Sequence, residues 1–395
     1  MNVPKLRFPE FIGEWEEKTI DSMFEEIKEK NHSSEEVLTI IQGTGTVPRK
    51  KSGRNIIFDE KSLSNYKFVQ KNDFIIHLRS FEGGLEIANS NGIVSPAYII
   101  MRPKFKIASR FYYSYFRSYK FINHVLPVAV EGVRDGRQIK YPILKAETIP
   151  FPSISEQKKI ADFLSNVDSI ITAETKILNT LQKKKKALMQ KLFTQQLRFK
   201  SDDGKDFPAW EEKKLGEISS SPKYGLNASG IDYDGEHKYL RITDIDEVTH
   251  TFSPEEITTP SEFSDDYLLE ENDIVFARTG ASTGKTYLYN PNDGDLYFAG
   301  FLIKFHIKDA NARFVFYQTC THEYEKWVHV MSTRSGQPGI NSEEYSTLKI
   351  KLPCIEEQQK IAKCLSSMDS LIQTQQKVVT TWQQRKKALL QQLFV

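Results

Sequence analysis

Two segments of forty residues, placed 201 positions apart, repeat each other along this chain of 395 residues. Residues 154–193 are ISEQKKIADFLSNVDSIITAETKILNTLQKKKKALMQKLF, and residues 355–394 are IEEQQKIAKCLSSMDSLIQTQQKVVTTWQQRKKALLQQLF; 21 of the 40 aligned positions are identical. Unrelated amphipathic helices do not keep both identity and register over such a length, so the pair indicates an internal duplication. We therefore expect the chain to fold as two related halves.

Both segments place apolar side chains at a sustained spacing of 3.5 residues, which is typical of a coiled-coil seam. The seam positions are Ile160, Leu164, Val167, Ile171, Leu178, Leu181, Leu188 and Leu192 in the first copy, and Ile361, Leu365, Met368, Ile372, Val379, Trp382, Leu389 and Leu393 in the second. Polar residues interrupt the seam at Glu174 and Lys185 and again at Gln375 and Lys386. These residues either fix the register of the helices or extend their polar ends to solvent. The sequence predicts that the two helices pack antiparallel against each other.

A proline precedes each repeated segment and provides a plausible end for the preceding element. The predicted organisation is a first globular domain at 1–152, a first long helix at 153–196, a second globular domain at 197–353 and a second long helix at 354–395. Short runs rich in β-branched and aromatic residues in both globular regions favour mixed α/β domains. The predicted fold class is therefore α+β, with pseudo-twofold duplication.

The two globular regions share the pattern of an arginine at the end of a strand, followed by glycine. Arg79 and Arg278 each follow a hydrophobic run, and a second Arg-Gly loop lies near the end of each region. Glycine lets a backbone approach phosphate, and the arginine fork binds either phosphate or guanine O6 and N7. Solvated turns have the same composition, but recurrence in both halves favours DNA contact. The candidate DNA-binding residues are Arg79, Ser80, Gly83, Arg134, Arg137, Arg241, Arg278, Thr279, Lys285, Arg334 and Gln337.

The segment FARTGASTGKT at 276–286 resembles a nucleotide-binding P-loop at first sight. A P-loop requires four residues between its first glycine and the Gly-Lys pair, whereas only three separate Gly280 from Gly284. The matching loop of the first half has Leu85 where this one has Lys285. The shared feature is the strand-end arginine, so the sequence predicts no ATP site here.

Composition is that of an ordinary globular protein, with 39% hydrophobic and 27% charged residues. The N-terminus lacks the apolar stretch of a signal peptide, so we expect a cytoplasmic location. The three cysteines form no CxxC pair, so we expect no metal site.

Residues 211–350 contain 24 acidic and 13 basic residues. This acidity counts against a DNA role for the second region unless a local basic surface exists.

The whole chain resembles the specificity subunits of type I restriction-modification systems. The resemblance lies in the paired EQ-K-IA-L-S-D-S helices and in the Phe-Ala-Arg-Thr-Gly and Arg-Ser-Gly-Gln-Pro-Gly segments. The resemblance implies two target-recognition domains that each bind half of a bipartite asymmetric DNA site, on a coiled-coil spacer that docks two methyltransferase subunits. It also implies two motor-nuclease subunits, with S-adenosylmethionine, ATP and Mg²⁺ on those partners and no catalytic or cofactor-binding residue in this chain. Alternative functions are a stand-alone DNA methyltransferase or NTPase, or a coiled-coil scaffold without a DNA role.

Overall fold

The structure is a computed structural model that describes residues 3–53, 60–77, 83–132, 137–333 and 338–394. It divides into two compact units, one formed by Met1–Ile177 with Gln375–Val395 and the other by Leu178–Thr374. Each unit therefore contains one globular region and part of both long helices. Within the described ranges, no helix combines the length and the apolar character needed to cross a membrane.

The first unit is built around a four-stranded antiparallel sheet. The strands of the whole unit are β1 Glu16–Thr19, β2 Phe24–Ile27, β3 Leu38–Ile41, β4 Gly45–Pro48, β5 Lys67–Val69, β6 Phe74–Ile76, β7 Glu86–Ile87, β8 Gly92–Val94, β9 Ile99–Pro103, β10 Val130–Glu131, β11 Gln138–Ile139 and β12 Thr148–Phe151. Its helices are α1 Ile20–Met23, α2 Ser109–Tyr115, α3 Tyr141–Leu144 and the first part of α4 Ile154–Phe193. The sheet order is β2-β9-β6-β7, and the remaining strands form two-stranded pairs.

The second unit repeats this sheet. Its strands are β13 Glu211–Lys214, β14 Lys223–Tyr224, β15 Gly230–Asp232, β16 Lys238–Leu240, β17 Thr258–Pro260, β18 Asp273–Ala277, β19 Thr286–Leu288, β20 Leu296–Phe298, β21 Leu302–His306 and β22 Lys349–Leu352. Its helices are α5 Ala312–Gln318, α6 His322–Ser332, α7 Ser342–Ser346 and the first part of α8 Ile355–Leu393. The sheet order β14-β21-β18-β19 corresponds to that of the first unit. The duplication thus extends to the globular regions, where the sequence shows only a loose pattern.

Strand β18 shows how the central sheet separates two cores in the second unit. Ile274 and Phe276 pack into the core that includes α5 and the long helices. Val275 and Ala277 face the opposite side and join a separate core with residues such as Leu240. Successive side chains of a strand point to opposite faces, so an uninterrupted apolar run is required here.

The long helices run antiparallel to each other within each unit. In the first unit, Gln375 Nε2 donates to Glu174 Oε2 at 2.6 Å, and Lys386 Nζ lies 2.5 Å from Asp168 Oδ1. The residue numbers of α8 therefore increase along the pair while those of α4 decrease. In the second unit, Lys185 Nζ lies 2.5 Å from Asp369 Oδ1. All sixteen predicted seam residues are buried or half-buried. The predicted fold class, mixed α and β domains with a duplicated antiparallel helix pair, is confirmed.

Candidate nucleic-acid interface

The FARTGASTGKT segment forms a β-hairpin in the second unit. Strand β18 ends at Ala277, a short 3₁₀ turn covers Gly280–Ser282, and β19 returns antiparallel, with Phe276 opposite Thr286. A P-loop instead passes from a strand into a helix, whose N-terminus binds the phosphates. The hairpin therefore has a different backbone architecture from a nucleotide-binding loop.

Two buried tyrosines hold the base of this hairpin loop. Tyr345 Oη donates to the carbonyl of Ala277 at 2.7 Å, and Tyr324 Oη donates to that of Gly284 at 2.9 Å. Burial raises the pKa of both phenols, so each remains a protonated donor at neutral pH. The loop is thereby fixed to helices α6 and α7.

Arg278 occupies the strand end, as the sequence predicts, and its side chain makes one hydrogen bond and approaches two aromatic rings. Its Nε donates to the carbonyl of Gly300 at 3.0 Å. Its guanidinium carbon lies 5.2 Å from the ring centre of Tyr224 and 5.9 Å from that of Phe301, within the range of cation–π attraction. Neither Nη atom has a partner among the described residues.

Thr279 connects the hairpin to the segment that follows the second Arg-Gly loop. It forms an isolated β-bridge with Gly339, while Gly280 N donates to Pro338 O at 3.0 Å and Ile340 N donates to Arg278 O at 2.9 Å. The structure therefore places residues 338–340 beside the first loop. Arg334 and Gln337 lie outside the described residues.

Two other candidates in the second domain are engaged with carboxylates. Arg241 forms a bidentate pair with buried Asp244, with Nε–Oδ2 and Nη2–Oδ1 distances of 2.9 Å, and this hydrogen bonding raises the arginine pKa. Lys285 Nζ lies 3.1 Å from an oxygen of exposed Glu247. Arg241 caps a local turn in this geometry, whereas Lys285 also donates to the carbonyl oxygen of Ile245 at 3.4 Å. Their contact with DNA stays a prediction.

In the first domain, Arg79, Ser80 and Arg134 lie outside the described residues. Gly83 is described, and its carbonyl accepts from Arg117 Nε at 3.4 Å. Arg137 is exposed directly before β11. Buried Glu86 accepts hydrogen bonds from Gly43 N at 2.7 Å and Tyr113 Oη at 2.9 Å, which ties the β3–β4 hairpin to this region.

The sequence does not identify Tyr224 and Phe301, whose ring centres lie 5.2 and 5.9 Å from the guanidinium carbon of Arg278. Both are unusually exposed for aromatic residues, at 40% and 55% of their surface. Each is adjacent to a glycine, Gly225 or Gly300, and a Cβ on Gly225 would lie 2.1 Å from the carbonyl oxygen of Ala299. The sequence signal is an aromatic residue next to a glycine at two places, at the end of β14 and directly before β21. It has meaning only once these two strands are known to be neighbours.

Glu270, Asp273 and His306 are close enough to hold a cation. However, Lys304 Nζ already lies 3.1 Å from Asp273 Oδ2, and His306 Nδ1 lies 2.9 Å from Oδ1. The corresponding Asp73 of the first domain is paired with Arg102 instead. The common role of the aspartate is thus to bind a basic side chain of the neighbouring strand, and no metal is assigned here.

The acidity of the second region is localised. The segment between β14 and β18, residues 225–271, contains thirteen acidic and two basic residues. The remainder of 211–350 contains eleven of each. The corresponding segment of the first domain, residues 28–71, contains five acidic and nine basic residues. The excess negative charge therefore belongs to the segment 225–271, which includes β15, β16 and β17, and the rest of 211–350 is balanced in charge.

The chain matches the family model described as type I restriction modification DNA specificity domain at residues 12–183 and again at 209–381. The two matches cover most of the chain and coincide with its two repeated halves. The chain therefore belongs to the type I restriction-modification DNA specificity family, as a specificity subunit with two DNA specificity domains.

Individual proteins agree with this assignment. The type I restriction enzyme MjaVIII specificity subunit of Methanocaldococcus jannaschii is 28% identical over 345 residues, which cover 82% of this chain and 79% of that protein. The crystal structure of the type I restriction-modification S subunit from M. genitalium has a TM-score of 0.57 at 18% identity and covers 99% of each chain. A chain from a structure on complex assembly and conformational transition of a type I system also reaches 0.57, at 15% identity, covering 96% of this chain and 97% of that one. These two structures establish the similarity of fold.

Proposed function

We propose that each specificity domain of this chain binds one half of a bipartite, asymmetric DNA site. The observation that carries the proposal is Arg278, which stands at the end of a central strand with both Nη atoms unpaired among the described residues. Arginine forks contact phosphates and guanine edges. The equivalent position of the first domain is Arg79 in the sequence, so two separate contacts of the same type are expected.

The long helices supply the spacer and the docking surface for two methyltransferase subunits in this proposal. Two motor-nuclease subunits complete the restriction complex, which acts in the cytoplasm. S-adenosylmethionine, ATP and Mg²⁺ bind to those partners, and this chain provides recognition without performing chemistry. The hairpin form of residues 276–286 supports this division, because it lacks the helix that a P-loop requires.

The test is co-expression of the chain with its methyltransferase partner, followed by genome-wide mapping of N6-methyladenine. We expect one non-palindromic sequence with two specified parts, separated by unspecified base pairs and spaced by about one duplex turn. A continuous short palindrome would contradict the proposal. Turnover of S-adenosylmethionine or ATP by the purified chain alone would instead support a stand-alone enzyme.

Single substitutions, each in one of the two domains, test whether each domain recognises its own half-site. Neutralising Arg79 is expected to relax or weaken recognition of one half-site, and neutralising Arg278 that of the other. Affinities are measured on duplexes in which only one half-site is altered, at fixed salt concentration. Unchanged affinity of both variants for both half-sites would exclude these arginines from DNA binding.

A further inference from the structure

The guanidinium of Arg278 has one edge bonded to the protein through Nε and a second edge, with Nη1 and Nη2, that has no partner among the described residues. We infer that its two Nη atoms form a bidentate hydrogen bond with O6 and N7 of a guanine in the major groove of the second half-site, with Tyr224 and Phe301 as positioning residues. The inference rests on the proposed function and specifies the chemical group that one residue recognises.

The main chain at Arg278 is fixed before any DNA is present. Arg278 N donates to Phe301 O at 3.0 Å, and Arg278 O accepts from Ile340 N at 2.9 Å. A Cβ on Gly339 would lie 3.1 Å from Arg278 O, so glycine permits this close approach of two backbones. The position of the Cα is therefore set by neighbouring segments on both sides.

The side chain is fixed as well, by its Nε and by the two rings. The bond from Nε to Gly300 O uses one edge of the guanidinium, and the rings of Tyr224 and Phe301 restrict its rotation. Tyr224 is itself held, because its Oη accepts from Ser342 N at 3.1 Å. The edge that carries Nη1 and Nη2 has no partner in the described part of the chain, and its two parallel N–H donors match the acceptors O6 and N7.

This arrangement favours a guanine contact over a phosphate contact. Phosphate attracts a positive charge over a range of geometries, so many phosphate contacts are made by mobile side chains, including the point charge of lysine. A bidentate bond to a base requires the plane of the fork to be correct, and a restrained side chain loses less conformational freedom on binding. The exposed aromatic rings and the Nε bond restrict that plane and add nothing to net charge.

The test uses the purified complex of this chain with its methyltransferase partner and duplexes that contain the mapped site. Each guanine of the second half-site is replaced in turn by 7-deazaguanine, which lacks the N7 acceptor. We expect one replacement to weaken binding by about 5- to 150-fold in the wild-type complex. The same replacement is expected to have no further effect in Arg278→Ala or Arg278→Lys. Arg313→Ala, which removes an exposed arginine from α5 of the same domain, is the control for loss of charge.

The positioning residues Tyr224 and Phe301 are tested with the same 7-deazaguanine duplexes. Phe301→Leu and Tyr224→Leu are expected to reduce the loss of affinity caused by 7-deazaguanine at the sensitive position. Phe301→Tyr keeps an aromatic ring and is expected to retain that loss. Thermal unfolding of each complex identifies variants that lose the fold, and the experiment on the wild type requires no variant. A second half-site without guanine, tolerance of every replacement by the wild type, or wild-type affinity in Arg278→Lys would overturn the inference. Failure of the wild-type complex to prefer its mapped site would instead refute the proposed function.

Discussion

Arg198 forms a bidentate ion pair with Glu357, with Nε–Oε1 and Nη2–Oε2 distances of 3.1 and 2.6 Å. The carboxylate is fully buried in the first turn of α8, and this hydrogen bonding raises the pKa of the arginine. Arg7 and Glu156 form the corresponding pair in the first unit, at 2.8 and 2.9 Å. The segment before each globular region is thus attached to the start of the long helix that follows it.

The tryptophans near these ion pairs are expected to differ in their contribution to stability. Trp210 Nε1 donates to Glu357 Oε2 at 3.1 Å, whereas the buried Nε1 of Trp15 has no partner among the described residues. Both Trp→Phe substitutions remove the same volume, and although Trp15 is the more buried of the two, only Trp210→Phe also removes a hydrogen bond. Trp210→Phe should cost about 1.5 kcal/mol more than Trp15→Phe, because the acceptor is a buried charge. Urea unfolding of the two variants measures the difference, and equal losses would contradict the assignment.

The repeated ion pairs between the long helices form a second matched comparison. Lys185 and Asp369 are half-buried, and Tyr317 Oη also donates to Asp369 at 2.6 Å. The carboxylate of Asp168, the repeat partner of Asp369, is half exposed and pairs with Lys386. Asp369→Asn should therefore cost about 1–2 kcal/mol, and Asp168→Asn no more than about 0.5 kcal/mol. Chemical denaturation checks the order, and raised salt should reduce the smaller effect first.

The sequence predicts the polar seam position Lys185 but not its partner Asp369. The seam follows from spacing along one helix, whereas the partner depends on the stagger between two helices, which no local pattern encodes. The same distinction holds at Arg278. Its strand-end position follows from an apolar run before glycine, but its contact with Gly300 requires two distant segments to approach each other. Tyr224 was missed for this reason, since its proximity to the arginine depends on sheet topology.

His250 gives the second unit a specific dependence on pH. Burial lowers the pKa of its imidazole below the usual 6.5, and its Nδ1 lies 3.0 Å from the carbonyl oxygen of Thr286. The unfolded chain therefore binds the proton more readily than the folded one. Stability should fall as pH decreases through 6.5 and stop falling below the folded-state pKa.

His250→Asn should remove this component, and asparagine tolerates the backbone φ of 55° found here. The measurement is the urea midpoint of wild type and variant at about pH 7.5 and 5.5, on either side of the histidine pKa. The wild type should lose more stability than the variant on acidification. His237 is the control of opposite sign, since its hydrogen bond to Asp234 raises the pKa and its contribution is lost as pH rises. A parallel response of wild type and His250→Asn would contradict the prediction.

Gly284 ends the loop that presents Arg278, and an alanine there should be strongly destabilising. Its φ is +92°, and an added Cβ would lie 2.5 Å from Cγ1 of Val328 on α6. Gly235 is the matched control, because its φ is +95° and an added Cβ would meet nothing within 4 Å. Gly235→Ala should cost about 1 kcal/mol from backbone strain, and Gly284→Ala about 1–3 kcal/mol beyond that.

The clash at Gly284 can be separated from backbone strain by a second substitution. Val328→Ala removes both crowding methyl groups, so the double variant should recover part of the stability lost in Gly284→Ala. DNA affinity should follow the same order, because displacement of this loop changes the aim of Arg278. A thermal unfolding series of the four variants, combined with binding at constant salt, measures both effects. Additive losses in the double variant would mean that the contact with Val328 does not determine the need for glycine.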